Sequence, residues 1–246
     1  MLKRSKIYKS MIEFINVKKT YGNHVALYDI NLKINSGLIF ALLGPNGSGK
    51  TTLLRSLMGL APLQDKSEIL VNKNSIRKSF TYRDEIGYMP QIPSFPRNLK
   101  VKEIIEFLIN LTNKKALYLN KIKSDLGINS FADKQFGTLS QGMKQKVNIL
   151  QCFMYDHNII VIDEPAAGLD PQNAYYLKNL LRERKKRGNT ILFTTHIMAE
   201  VEEIADEMTV LVDGKISVFD KPKVFIKKQK AKSLEDALVK YWIKQN

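Results

Sequence analysis

Residues Gly44–Thr51 read GPNGSGKT, directly after the apolar run LIFALL (Leu38–Leu43) and directly before TLLRSLMGL (Thr52–Leu60). The octet fits G-x-x-x-x-G-K-[ST], in which glycines let the backbone curl so that several N–H groups aim at phosphate oxygens. The run before it is bounded by Gly37 and Gly44 and suits a buried parallel strand. After it, Leu53, Leu54, Leu57 and Met58 have the spacing of a helix with one buried face. A strand, a glycine loop and a helix in that order favour phosphate binding over a plain glycine turn, because the helix N-terminus adds partial positive charge. Gly44, Pro45, Asn46, Gly47, Ser48 and Gly49 are then the cradle. Lys50 reaches the β- and γ-phosphates, Thr51 ligates Mg²⁺, and Thr52 donates to the α-phosphate. The expected ligand is a nucleoside triphosphate with Mg²⁺.

Two further apolar runs extend this unit. NIIVIDEP (Asn158–Pro165) reads as a buried strand stopped by Pro165, and TILFTTH (Thr190–His196) as another. AYYLKNLLRERKKRG (Ala174–Gly188) between them reads as a helix closed by Gly188. Strands alternating with helices predict an α/β core with a largely parallel sheet. From about residue 92 to 155 the pattern changes to proline turns and helical segments such as VKEIIEFLINL, with no strand, and reads as a helical insertion. After Gly214 come a short strand KISVF, a lysine-rich stretch and a terminal helix SLEDALVKYWI. No internal repeat is visible.

The second strand supplies carboxylates. Asp163 ends it and is placed to hold Mg²⁺ through water. Glu164 follows and is a candidate general base for an attacking water. An acidic pair at a strand end also serves as a helix cap, and the P-loop is what favours the catalytic reading. His196 ends the third strand, where a neutral imidazole can contact the γ-phosphate and orient water. His24 and His157 read as structural or surface residues.

Composition narrows the class without choosing a partner. The chain has 246 residues, 44% of them hydrophobic, enough for one domain with a substantial core. Its apolar runs fall short of the roughly 18 residues of a membrane span. The start, MLKRSKIYKS, is basic and lacks the apolar stretch of a secretory signal, so residues 1–10 read as an extension. Cys152 is the single cysteine, fits a reducing compartment, and reads as a small buried hydrophobe. A formal charge of +15 calls for nucleic acid, an anionic membrane surface, or simply a solvated lysine shell.

Taken in order, GPNGSGKT, Gln91 in GYMPQ, LSQGM (Leu139–Met143), VIDEP, GLD (Gly168–Asp170) and His196 resemble the ATP-binding cassette (ABC) ATPase family, over about residues 11 to 220. The resemblance implies a P-loop NTPase (RecA-like) core with a mostly parallel sheet, an antiparallel β part and an inserted helical subdomain. Residues 221–246 would then form a basic tail with a terminal helix. It also implies that Tyr21 stacks on adenine, that Gln91 touches Mg²⁺ and water while linking core to insertion, and that Asp170 lies in a loop communicating across a dimer. LSQGM departs from the usual L-S-G-G-Q at Gln141 and Met143 but keeps Ser140 and Gly142, which would face the γ-phosphate of a second copy in a head-to-tail dimer.

Such cassettes mostly drive a separate membrane permease from the cytoplasmic face of the cell membrane. The permease would contact the groove beside Gln91, lined by QIPSFPRNLKV. The order of motifs is similar to that of exporter cassettes, and GYMPQIPSFPRN is similar to the cassette of the copper-handling system that serves nitrous oxide reductase. The rival is a soluble cassette acting on nucleic acid or ribosomes. The second cassette, coiled coil or zinc site usual there is missing from these residues, and nucleic acid is not the expected partner. An accessory ATPase with no transport role is a third class.

Overall fold

The computed structural model describes residues 12–165 and 168–244; the expected extension at residues 1–10 lies outside them. In chain order the elements begin with the hairpin β1 (Ile12–Tyr21) and β2 (His24–Ile34), then β3 (Ile39–Leu43), α1 (Lys50–Leu57), β4 (Glu68–Val71), β5 (Asn74–Ser75) and β6 (Ile86–Met89). Next come α2 (Val101–Asn110), α3 (Leu119–Asp125), α4 (Gln141–Phe153), β7 (Ile159–Asp163), α5 (Pro171–Lys186) and β8 (Thr190–Thr195). The chain closes with α6 (Met198–Ile204), β9 (Glu207–Val212), β10 (Lys215–Asp220), α7 (Pro222–Lys228) and α8 (Leu234–Ile243).

Six strands form one sheet in the order β10-β9-β3-β8-β7-β6. Every neighbouring pair is parallel except β10 with β9. β3, β7 and β8 are buried along their whole length, which is why they read as unbroken apolar runs: both faces are covered. The two faces feed different cores. Ile39, Ala41, Leu43, Ile160, Ile162, Ile191 and Phe193 face a cluster built with α2, α4, α5, α6 and α8. Phe40, Leu42, Ile159, Val161 and Leu192 face another, with α1 and a second, antiparallel sheet of order β2-β1-β4-β5. Each of the isoleucine, leucine, valine and phenylalanine side chains among these contributes about 1.5–3 kcal/mol on full burial. The helices between Val101 and Phe153 bury their apolar faces in the first cluster, continuous with the sheet. Cys152 is buried there, and burial pushes its thiol well up.

Local chemistry explains the ends of the helices. α5 opens three residues before the expected Ala174, because Pro171 suits the first helical position and Asp170 caps it, accepting from the Asn173 N–H at 2.8 Å. It closes at Gly188, φ +92°. The lysine-rich stretch holds a helix not singled out from sequence, α7, whose buried Phe225 and half-buried Ile226 join the first core.

Two polar devices tie the helical stretch to the sheet. Gln145, Asn148 and Gln151 on α4 donate to the main-chain carbonyls of Gln91 (3.1 Å), Pro90 (2.7 Å) and Tyr88 (3.1 Å). They also bond to one another, Asn148 to Gln145 at 3.0 Å and Gln151 to Asn148 at 3.1 Å. Arg184 of α5, only 2% exposed, stacks 3.8 Å over the Tyr118 ring, donates to Phe153 O at 2.6 Å and meets Asp156 at 3.3 Å. A guanidinium tolerates burial there because its planar face and its N–H fork are both satisfied.

Candidate nucleotide site

The segment from Gly44 to Gly49 leaves the end of β3 and turns into α1. Two glycines are required by space, and Gly49 by conformation as well. A Cβ on Gly44 would sit 2.2 Å from Leu211 O. One on Gly49, at φ +104°, would sit 2.6 Å from Ala26 O. The loop is therefore wedged between the hairpin and β9. Gly214 N–H donates to Ser48 O at 3.1 Å and closes it from behind.

Lys50 is 5% exposed. Its ammonium donates to Gly44 O at 2.8 Å and Pro45 O at 3.1 Å and lies 3.6 Å from Glu164 Oε1. Glu164 Oε2 in turn meets His196 Nδ1 at 2.8 Å. Three residues separated widely along the chain thus form one contact chain, Lys50–Glu164–His196. Glu164 takes φ +54°, and its N–H donates to Thr194 Oγ1 at 2.9 Å. Thr194 donates to Asp163 Oδ1 at 2.5 Å.

Asp163 Oδ2 is buried with no hydrogen-bond partner. An orphaned carboxylate oxygen is costly to bury unless a cation or water meets it. Thr51 and Asp163 both line a groove beside the loop, and each offers a hard oxygen donor of the kind that suits Mg²⁺. Among the described residues no group of three or more His, Cys, Asp or Glu could hold a metal alone. That thin set suits a cation held partly by phosphates.

A cavity of about 350 Å³ opens over the loop, lined by Tyr21, His24, Asn46, Gly47, Gly49, Lys50, Thr51, Thr52, Gln91 and Glu164. Tyr21 ends β1, is 47% exposed, and offers a ring face, with Lys19 Nζ 5.1 Å from its centroid. Gln91 lines this cavity and also a neighbouring groove of about 730 Å³. Of the stretch expected to line that groove, Gln91, Ile92, Pro93, Ser94 and Phe95 do so, and residues 96–101 do not. Burial, with the Asp163 charge second, pushes the Tyr88 phenol in this groove up to about 12.

Ser140, Gly142 and Asp170 are not part of the cavity lining. Ser140 caps α4, accepting from Met143 N–H at 3.3 Å, and Asp170 caps α5. The start of α4 lies close to the loop before α5: a Cβ on Gly142 would lie 3.5 Å from Gly168 O, and one on Gly168 would lie 3.0 Å from Gln141 Cγ. Met143 packs against the first core.

Residues 27–167 match the family described as ABC transporter. The chain belongs to the ABC transporter family. The ATP-binding subunit described here is 31% identical over 212 residues to the uncharacterized ABC transporter ATP-binding protein YxlF of Bacillus subtilis (strain 168), covering 84% of this chain and 70% of that one. It is 32% identical over 208 residues to the Nod factor export ATP-binding protein I of Burkholderia orbicola (strain AU 1054), covering 83% of this chain and 68% of that one. Among solved structures, an ATP binding subunit of an ABC transporter superposes with a TM-score of 0.85 at 26% identity, over 93% of this chain and 98% of that one. The fold is thus the P-loop NTPase fold of ABC cassettes. No helix among the described residues is long and apolar enough to cross a membrane.

Sequence reasoning passed over several residues around this site. Thr194 bridges the acidic pair, and its only signal was a hydroxyl at the end of an apolar strand. Glu200, whose carboxyl burial raises, accepts from Thr195 Oγ1 at 2.7 Å beside His196. His157, expected to be a structural or surface residue, lines the groove, and burial pushes its imidazole down to about 4, the Lys114 charge adding to the effect. Between pH 6.5 and 4 the unfolded chain binds the proton that the folded chain refuses, so stability falls with pH in that window. The expected result is that urea unfolding shows an extra loss of about 1–2 kcal/mol between pH 7 and pH 5 in the native chain, absent from His157→Gln. Equal pH dependence in both chains would remove His157 from the account.

Proposed function

We propose that this subunit hydrolyses ATP as a head-to-tail dimer at the cytoplasmic face of a membrane and drives a separate permease, an exporter. The observation that carries the reading is the division of the site. Lys50, Glu164 and Gln91 share one cavity, while Ser140, Gly142 and Asp170 sit at helix starts outside it. A serine-capped helix N-terminus is an anion-binding feature. It lies outside the cavity of its own chain and would complement the cavity of a second copy.

In this reading Tyr21 stacks on adenine and the loop N–H groups of Asn46, Gly47 and Gly49, with Lys50 and Thr52, grip the phosphates. Thr51, Asp163 and Gln91 hold Mg²⁺, which when bound neutralises charge on the phosphate oxygens. Glu164, held by His196, takes the proton from the attacking water. His196 orients that water. Ser140 and Gly142 of the partner copy face the γ-phosphate, and Asp170 carries contact between the two sites.

The groove beside Gln91 supports a permease contact, because exposed Ile92, Leu60 and Leu111 rim it with apolar surface that one cytoplasmic loop of a membrane protein would cover. Exporter type is supported by the relative named for Nod factor export. A copper-handling exporter is one member of that class, and the similarity of GYMPQIPSFPRN to its cassette concerns this same groove. The +15 charge supports a position near anionic lipid, with each nearby Lys or Arg contributing about 1 kcal/mol.

Purification of the tagged full chain from detergent-solubilised membranes tests the reading. An integral membrane protein retained in stoichiometric amount is the expected result. Recovery with ribosomal RNA or DNA, and no membrane protein, would overturn it in favour of a cassette acting on nucleic acid.

A further inference from the structure

We propose that Thr194 is the positioning residue of the acidic pair: its one hydroxyl decides which oxygen of Asp163 is left for the divalent cation and which way Glu164 points. This rests on the reading that Asp163 serves Mg²⁺.

Thr194 sits on β8, paired in register with Asp163 of β7. It is fully buried, in a strand whose preceding residues are Ile191, Leu192 and Phe193. Valine would fill that place equally well by shape, and an unbonded hydroxyl there would be costly. The hydroxyl is instead satisfied both ways. Its single hydrogen goes to Asp163 Oδ1 at 2.5 Å, and its oxygen accepts the Glu164 N–H at 2.9 Å. These two bonds have separate consequences.

The first occupies Oδ1, so that Oδ2 is the Asp163 oxygen left buried without a partner. The carboxylate thereby offers one defined oxygen rather than two interchangeable ones. The second holds the peptide after Asp163 while Glu164 takes φ +54°, a conformation that a residue with a side chain keeps only when its surroundings fix it. That turn sends the Glu164 carboxylate to Lys50, at 3.6 Å, and His196, at 2.8 Å. One hydroxyl therefore orients two adjacent carboxylates toward different tasks. Groups that fix a ligand's orientation from behind typically matter by about 10–100-fold in metal affinity or activity.

The test uses the full chain with Thr194→Val, Thr194→Ser and Asp163→Asn. ATP affinity is measured with Mg²⁺ and with EDTA, binding of Mn²⁺ to the ATP complex is followed by electron paramagnetic resonance, and kcat and KM are determined. Thr194→Val is expected to lower the cation-dependent gain in ATP affinity, and kcat, by about 10–100-fold, to alter the Mn²⁺ spectrum, and to leave affinity in EDTA unchanged. Thr194→Ser, which keeps the hydroxyl, is expected to restore all three. A Thr194→Val chain with the native cation gain and spectrum overturns the proposal. So does a Thr194→Ser chain as impaired as valine, since then the methyl group and not the hydroxyl matters. If the valine chain is unfolded by circular dichroism, Thr194→Cys takes its place, because a thiol is a weak donor; native cation gain in that variant also overturns the proposal. Asp163→Asn separates the two levels. If it keeps the full cation gain, the reading of Asp163 itself is wrong; if it loses the gain while Thr194→Val does not, only the role of Thr194 falls.

Discussion

Glu164→Gln is expected to lower ATP turnover by about 10²–10⁴-fold while ATP binding persists, because in the proposed mechanism the substitution removes the general base. Glutamine keeps the size of the side chain and can still meet His196 Nδ1, which lies 2.8 Å from Oε2. The left-handed backbone at this residue and its N–H bond to Thr194 do not depend on the carboxylate. What changes is the ability to take a proton, together with the charge facing Lys50 at 3.6 Å. Loss of that charge frees Lys50 for phosphate, so affinity should hold or rise, and ATP should become trapped in a dimer. Size-exclusion chromatography with ATP and a steady-state phosphate assay check both halves. A variant that turns over at the native rate would remove Glu164 from the proton transfer.

Mixing Lys50→Ala chains with Ser140→Arg chains should restore activity that neither has alone. Lys50 lines the cavity and Ser140 lies outside it, at the start of α4. If Ser140 acts on a partner's nucleotide, each homodimer carries two damaged sites. A mixed dimer concentrates both lesions in one site and leaves the other intact. Losing a preorganised donor at a developing charge typically costs about 10²–10³-fold, so one repaired site stands well above the parents. Rate plotted against mixing ratio should peak near equal amounts, with dimerisation measured in parallel. Mixed dimers as inactive as either parent, where native chains paired with one dead site still work, would mean that Ser140 acts within its own chain.

Much of the fold was legible because its signals are contiguous. GPNGSGKT lies between a strand buried on both faces and a helix with one apolar face, and neither depends on distant residues to be recognised. Asp163 and Glu164 were legible for the same reason, since they end an apolar run. What sequence did not reveal depends on register between segments far apart. Thr194 matters because β8 pairs with β7 so that it faces Asp163. Nothing within TILFTTH states that alignment. The amides of Gln145, Asn148 and Gln151 repeat every third residue, yet their acceptors are main-chain carbonyls more than fifty residues earlier. Helix α7 was hidden by its lysines, since only Phe225 and Ile226 show which face is inward. The tie between Lys50 and Glu164 follows from the close packing of α1 beneath the sheet, a tertiary fact.

The amide ladder on α4 has a bearing on how such a subunit can change partners. Its three rungs end on the carbonyls of Tyr88, Pro90 and Gln91, not on their side chains. A carbonyl is the same whatever residue carries it. The exposed side chains of Ile92 and Ser94 are therefore free to be rewritten for a new docking loop, one substitution at a time, without unfastening the helix that Ser140 caps. Freedom to diverge on the outside and fixed linkage on the inside coexist in one short segment, because the linkage uses only the backbone.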